Sequence, residues 1–204
     1  MKKLFRVELK MVQQSAVDVT LDPDTAHPNL ILSDDGKQVH DSDVTKNLPD
    51  NPKRFFNYVF VLAKQSFSSG RFYYEVQVKG KDYVDFRSGQ RVGQQDGKYS
   101  TDSSGWLLDD MNGYWVIGLR NDNEYLAAAG PAVRLALKSR PQKVGVFVDY
   151  EEGLVSFYDV DAEALIYSFT GCSFTEKLYP YFYPGPIYEG GKNSAPLIIS
   201  PVSH

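Results

Sequence analysis

The chain has a single cysteine, Cys172, in 204 residues, and only three histidines, His27, His40 and His204. A lone cysteine excludes an internal disulfide and a thiolate metal cluster, and fits a reducing compartment. The histidines share no ligand spacing, and His27 precedes Pro28 in a turn sequence, so none is placed as a general base. Basic residues are scattered, with 22 Lys and Arg against 26 Asp and Glu and a formal net charge of −4. No phosphate-tracking surface follows from that distribution, which argues against nucleic acid as a partner. Long apolar runs are missing too. Met1-Lys2-Lys3 opens like an export signal, but Arg6, Glu8 and Lys10 interrupt the apolar stretch. With no transmembrane segment, the chain reads as soluble and cytoplasmic, with no membrane partner.

Catalytic constellations are equally scarce. Cys172 has no histidine partner placed for it and reads as a small buried thiol. Glu151-Glu152 and Asp109-Asp110 are sequence neighbours, which point to opposite faces of an extended chain and make no carboxylate dyad. Gly93-Gln94-Gln95-Asp96-Gly97-Lys98 is one residue short of a phosphate loop, with Tyr99 in place of Ser or Thr. Asp109 to Gly113 misses calcium-loop spacing. The expectation is no catalytic residue, no metal and no cofactor.

What the sequence does contain is a succession of short strands. The clearest signal is Lys143–Val160, where Val144, Val146 and Val148 share one face with Phe147 on the other, and Leu154, Val155 and Phe157 follow a break at Glu151-Glu152-Gly153. This reads as a β-hairpin with a bulge, apolar on both faces and therefore covered by a second layer. Further strands are expected at 17–21, 30–32, 38–39, 55–62, 71–78, 114–119, 133–137, 165–169, 178–183 and 197–199. Of these, 71–78 alternates as a half-buried strand, with Phe72, Tyr74, Val76 and Val78 on one face. Residues 83–112 read as a loop, and 127–132 as small and flexible. Leu4, Val7 and Met11 lie at helical spacing, so a short helix is expected over 2–14. Strands about every ten residues with no later long helix indicate one antiparallel sandwich.

Several ordered motifs then carry a resemblance. Leu21-Asp22-Pro23-Asp24-Thr25-Ala26, Leu32-Ser33-Asp34-Asp35 leading to Val39, and Arg54-Phe55 are followed by Ser69-Gly70-Arg71-Phe72-Tyr73-Tyr74-Glu75-Val76 and by Gly113-Tyr114-Trp115. After these come Val144-Gly145-Val146-Phe147-Val148-Asp149-Tyr150-Glu151, Ser156-Phe157-Tyr158, Tyr179-Pro180-Tyr181-Phe182 and Asn193-Ser194-Ala195-Pro196-Leu197. Together they resemble the PRY-SPRY domain of tripartite-motif ubiquitin ligases, butyrophilins and some fish NLR-like immune receptors, over about residues 17–202. The resemblance implies an all-β fold, a bent antiparallel β-sandwich of the concanavalin-like jelly-roll kind with a short N-terminal helix, and a buried strand after Gly80-Lys81 for which Val84, Phe86 and Val92 are the candidates, the register left open. Residues 1–16 would be a linker helix, about 17–65 the PRY part and about 66–202 the SPRY part.

The implied function is protein recognition through variable loops, with no catalysis in this chain. A tripartite-motif parent, fish-type or other, would carry the ubiquitin-transfer activity in a separate RING domain and use this domain to select a pathogen or host protein in innate immunity. The isolated domain would be a monomer and the parent a coiled-coil oligomer. The ligand surface is expected to draw on Asp85, Phe86, Arg87, Arg91, Tyr99 and Trp106, on Gly118, Arg120 and Asp122, and on Tyr183, Pro186, Ile187 and Tyr188. Where some relatives carry tryptophan, this chain has Gly118 and Arg120, which argues against their antibody-binding specificity. Aromatics in polar, Gly- or Pro-rich segments either anchor an interface or fold back to cap the sandwich. A glycan-binding lectin-like domain, using Asp102, Trp106, Asp109 and Asn112, is the alternative.

Overall fold

The structure is a computed structural model that describes residues 2–90, 113–120, 124–129 and 131–203. Two antiparallel sheets form a bent sandwich. In chain order the elements are α1 (Lys2–Gln13), β1 (Leu30–Leu32), β2 (Gln38–Asp41), β3 (Val61–Leu62), β4 (Arg71–Gln77), β5 (Val84–Gln90) and β6 (Tyr114–Arg120), followed by β7 (Glu124–Ala127), β8 (Val133–Leu135), β9 (Lys143–Asp149), β10 (Leu154–Asp159), β11 (Ala164–Phe169), β12 (Leu178–Tyr183) and β13 (Leu197–Ser200). One sheet has the order β1-β2-β13-β4-β9-β10-β11 and the other β3-β12-β5-β6-β7-β8.

The expected hairpin is present, with Leu154 paired to Asp149 and Asp159 to Val144 in unbroken register. Its four-residue connection ends at Gly153, whose φ of 60° suits glycine, and a Cβ there would meet the Cys172 carbonyl at 2.4 Å. The bulge expected in this hairpin lies instead on the far side of β10, between Phe157 and Tyr158 against β11. Phe72, Tyr74, Val146, Val148, Val155 and Phe157 face the opposing sheet, where Val61, Val84, Ile117, Leu119 and Phe182 complete the core.

The second face of β4 and β9 is also covered, which corrects the half-buried reading of β4. Leu9 and Val12 of α1 pack on Tyr73, Phe147 and Tyr158. Beneath the helix, Glu75 accepts hydrogen bonds from the Tyr73 hydroxyl (2.9 Å) and from Gln13 Nε2 (3.0 Å), with Lys143 Nζ at 3.6 Å. A buried carboxylate needs such partners, and the helix supplies one of them.

Other expectations change. Residues 17–21 form no strand but cross between the sheets, with Ala16 bridging Tyr73 and Leu21 bridging Ala63. The backbone bonds of this segment are divided among several partners, so no ladder develops. Of 55–62 only Val61–Leu62 is a strand, because Phe55 bonds back to Thr25 and its ring meets Phe60 edge-on at 5.8 Å. Part of the 83–112 region read as loop is β5, a full strand between β6 and β12, and Ala127, read as the start of a flexible stretch, instead ends strand β7. Val84-Asp85-Phe86-Arg87 alternates but runs into Ser88-Gly89 within a polar, Gly-rich stretch, and pairing on both sides is what makes β5 a strand of seven residues.

Candidate functional site

Strands β12, β5 and β6 bring three separated segments into register. Asp85 pairs with Tyr183 on one side and Gly118 on the other. Val84, next to Asp85, belongs to the core, so strand alternation puts Asp85 on the opposite face. Asp85 is only 1% exposed and lies beneath this surface rather than at its rim.

From Tyr183 a line of rings runs outward to the loops. Tyr183 meets Tyr83 edge-on with ring centroids 6.1 Å apart, and Tyr83 meets Tyr188 at 6.5 Å. Tyr188 is 44% exposed, so this aromatic does not fold back to cap the sandwich. In the other direction Tyr183 packs on Phe60 at 5.4 Å, and Phe60 stacks on Tyr58 at 5.4 Å and meets Tyr181 at 6.3 Å. Edge-to-face rings at these separations favour one mutual arrangement over a fluid cluster.

The two loops that carry Tyr83 and Tyr188 are joined at their base by polar groups. Asn193, 3% exposed, accepts at Oδ1 from the amides of Asp82 (2.9 Å) and Tyr83 (3.1 Å), and donates from Nδ2 to the carbonyls of Pro184 (3.2 Å) and Pro186 (2.8 Å). Lys81, 1% exposed, donates from Nζ to the carbonyls of Asn193 (2.6 Å) and Ala195 (2.8 Å). Burial pushes the Lys81 ammonium down to about 8, with Asp41 and Asp82 opposing that shift. Arg140 adds an ion pair to Asp82 (2.8 Å) and a hydrogen bond to the Lys81 carbonyl. Gly185 closes the turn at φ 74°, where a Cβ would lie 2.3 Å from the Tyr83 carbonyl.

The expected site residues divide accordingly. Asp85, Gly118 and Tyr183 lie side by side, and Pro186, Ile187 and Tyr188 follow in the loop after β12. Phe86 pairs with Ile117 and Phe182, Arg87 with Val116 and Tyr181, and Arg120 with Glu124; the side chains of these three lie outside the described atoms. Arg91, Tyr99, Trp106 and Asp122 lie outside the described residues, as do Asp102, Asp109 and Asn112 of the glycan alternative and the Gly93–Lys98 segment. Tyr83, Lys81, Asn193 and Arg140 escaped the reading of ligand residues. The signal for Asn193 was its place in the Asn-Ser-Ala-Pro-Leu motif, but the partners that tie it to the other loop, Asp82 and Tyr83, are over a hundred residues away in sequence.

Two groups with base or nucleophile chemistry, His27 and Cys172, are held in other roles. His27 accepts at Nδ1 from the Asn29 amide and so donates from Nε2 to the Phe56 carbonyl at 3.0 Å, and burial lowers its pKa. Cys172 is pushed up to about 11 by burial, the reverse of an activated thiolate. No group of three or more potential metal ligands occurs among the described residues.

A bent sandwich that gathers loop aromatics over a buried polar frame is the architecture of a recognition domain. The chain belongs to the PRY-SPRY family, a class of protein-interaction modules: residues 19–67 match PRY, the SPRY-associated domain, and residues 71–197 match the SPRY domain. Among curated proteins it is 44% identical to human pyrin over 98% of this chain and 25% of that protein. It is 45% identical to nuclear factor 7, brain, of Xenopus laevis over 93% of this chain and 30% of that protein. With the bovine E3 ubiquitin-protein ligase TRIM21 it shares 40% identity over 95% of this chain and 40% of that protein. The chain thus spans a quarter to two fifths of these relatives. In fold it matches the crystal structure of the TRIM65 PSpry domain with a TM-score of 0.75, at 20% identity and 95% coverage of both chains.

Proposed function

We propose that this chain is the target-recognition domain of a larger protein, binding a protein ligand on the surface built over β12, β5 and β6. The observation that carries this reading is the exposed Tyr188, held through Tyr83 on Tyr183, whose strand position lies in register with those of Asp85 and Gly118. Rigid aromatics with a polar end are favoured interface anchors, because they bury large area at little entropic cost. Asp85 supports the surface from beneath. Arg87, Arg91, Tyr99, Trp106, Arg120 and Asp122 extend it, the arginines pairing with acidic or carbonyl groups of the ligand, whereas Phe86 is in register with the core residues Ile117 and Phe182 and is not part of it. Pro186 and Ile187 shape the loop that carries Tyr188.

Relatives that include E3 ubiquitin-protein ligases support a parent in which this domain chooses the substrate; that it does so in the cytoplasm and in innate immunity is part of the proposal alone. The isolated domain is then a monomer and its avidity arises from a coiled coil in the parent. The test replaces residues 91–112 with a short Gly-Ser linker, which leaves the paired ends of β5 and β6 intact, and compares both forms in affinity capture from infected and uninfected cytosol. A protein held by the intact domain alone supports recognition by this loop. Equal capture by both forms refutes that role for it.

A further inference from the structure

Two loops that belong to distant parts of the chain must be fixed relative to one another for Tyr83 to support Tyr188. In the described residues this is done chiefly by one side chain. The Asn193 amide uses both donors and accepts two hydrogen bonds, donating to the loop after β12 and accepting from the chain entering β5. Its backbone φ is 65°, in the left-handed region that asparagine and glycine tolerate best. Few residues satisfy both demands. Aspartate accepts but cannot donate; glycine takes the backbone conformation but offers no side chain. Pro184 and Pro186 have no N–H, so the chain passing Gly185 offers mainly carbonyls to this center, which makes the two Nδ2 donors the complementary choice. Lys81, buried beside them, clamps the backbone of Asn193 through its carbonyl and ties it to Ala195.

We infer that Lys81 and Asn193 form a two-sided positioning clamp that sets the spacing of the Tyr83 and Tyr188 loops, without touching the ligand. Its value for recognition rests on the reading above, whereas the clamp itself is tested without any ligand. The experiment is residue-resolved amide exchange by NMR on the whole domain, in wild type, Asn193→Gly, Asn193→Asp and Lys81→Met. Asn193→Gly keeps the left-handed backbone and the carbonyl that Lys81 holds, and removes only the side-chain half of the clamp. Exchange at Asp82 and Tyr83 is expected to accelerate by about tenfold or more, with β9 and β10 unchanged, since local opening is set by the bonds that break. Asn193→Asp retains an acceptor for those two amides, so they stay protected while the Tyr188 amide, which donates to Lys192, exchanges faster. Lys81→Met accelerates all three.

Unchanged exchange at Asp82 and Tyr83 in Asn193→Gly overturns the inference. So does a uniform rise that includes β9 and β10, which would make the pair a general stabiliser of the fold, and so does equal loosening of both loops in Asn193→Asp. Because no ligand enters, any of these results is distinct from a failure of the recognition surface to bind.

Discussion

The β9–β10 hairpin and the loop end of β5 and β12 are held together by different physics. The hairpin is apolar on both faces, packed inward on the opposing sheet and outward, through Phe147 and Tyr158, on α1. At the loop end, a few bonds from Asn193, Lys81 and Arg140 fix backbone that carries its aromatics near the surface. Burial of area is tolerant of detail and spreads over many residues; a polar clamp depends on each partner. The domain thus separates a region that sets stability from one that sets the shape of its exposed surface.

If that separation holds, substitutions at the two places differ in kind. Phe157→Ala, at a fully buried ring of the core, is expected to cost about 3–5 kcal/mol in urea unfolding, through lost transfer energy and the cavity left behind. Gly145→Ala places a Cβ 2.2 Å from the Tyr73 hydroxyl, and the displaced ring must disturb the seat of α1. The expected cost is about 1–3 kcal/mol, with loss of exchange protection at the C-terminal turn of the helix. Tyr188→Ala should leave stability within about 0.5 kcal/mol yet weaken protein binding by about 1–3 kcal/mol, read by calorimetry on a captured partner.

A further effect is a change in pH dependence. Lys81 is pushed down to about 8 when folded, from an ordinary value of 10.5. Between those values the unfolded chain binds more protons than the folded one, so this group makes stability rise as pH increases through the interval. Comparing unfolding at pH 7.5 and 9.5, Lys81→Met should abolish that increment; an unaltered pH slope would place the shift elsewhere.

The same contrast explains what could be read from the sequence. Regular alternation exposed β4 and β9, an apolar run after a turn exposed β10, and the ordered motifs supplied the family and the sandwich. Strand β5 was only half legible: Val84 and Phe86 stood out as strand candidates, but their alternation ends at Ser88-Gly89, and only pairing with β6 and β12 fixes the register and makes those seven residues a strand. The second covered face of β4 was missed because Glu75 reads as solvent-facing until Tyr73 and Gln13 are seen to bond it. Tyr183 and Tyr188 were found from their loop, but the clamp beneath them was not: its bonds join residues 81–83 to 193–195, a separation that no local pattern encodes. Physical periodicity reports burial, and it is silent on polar bonds between remote loops.

The most direct test of the account is affinity capture from host cytosol with wild type and Tyr188→Ala, each first shown by circular dichroism and urea unfolding to be equally folded. The account predicts a protein retained by the wild type and lost, or strongly depleted, from the variant. Equal retention by two equally stable forms would contradict the assignment of recognition to the surface over β12, β5 and β6.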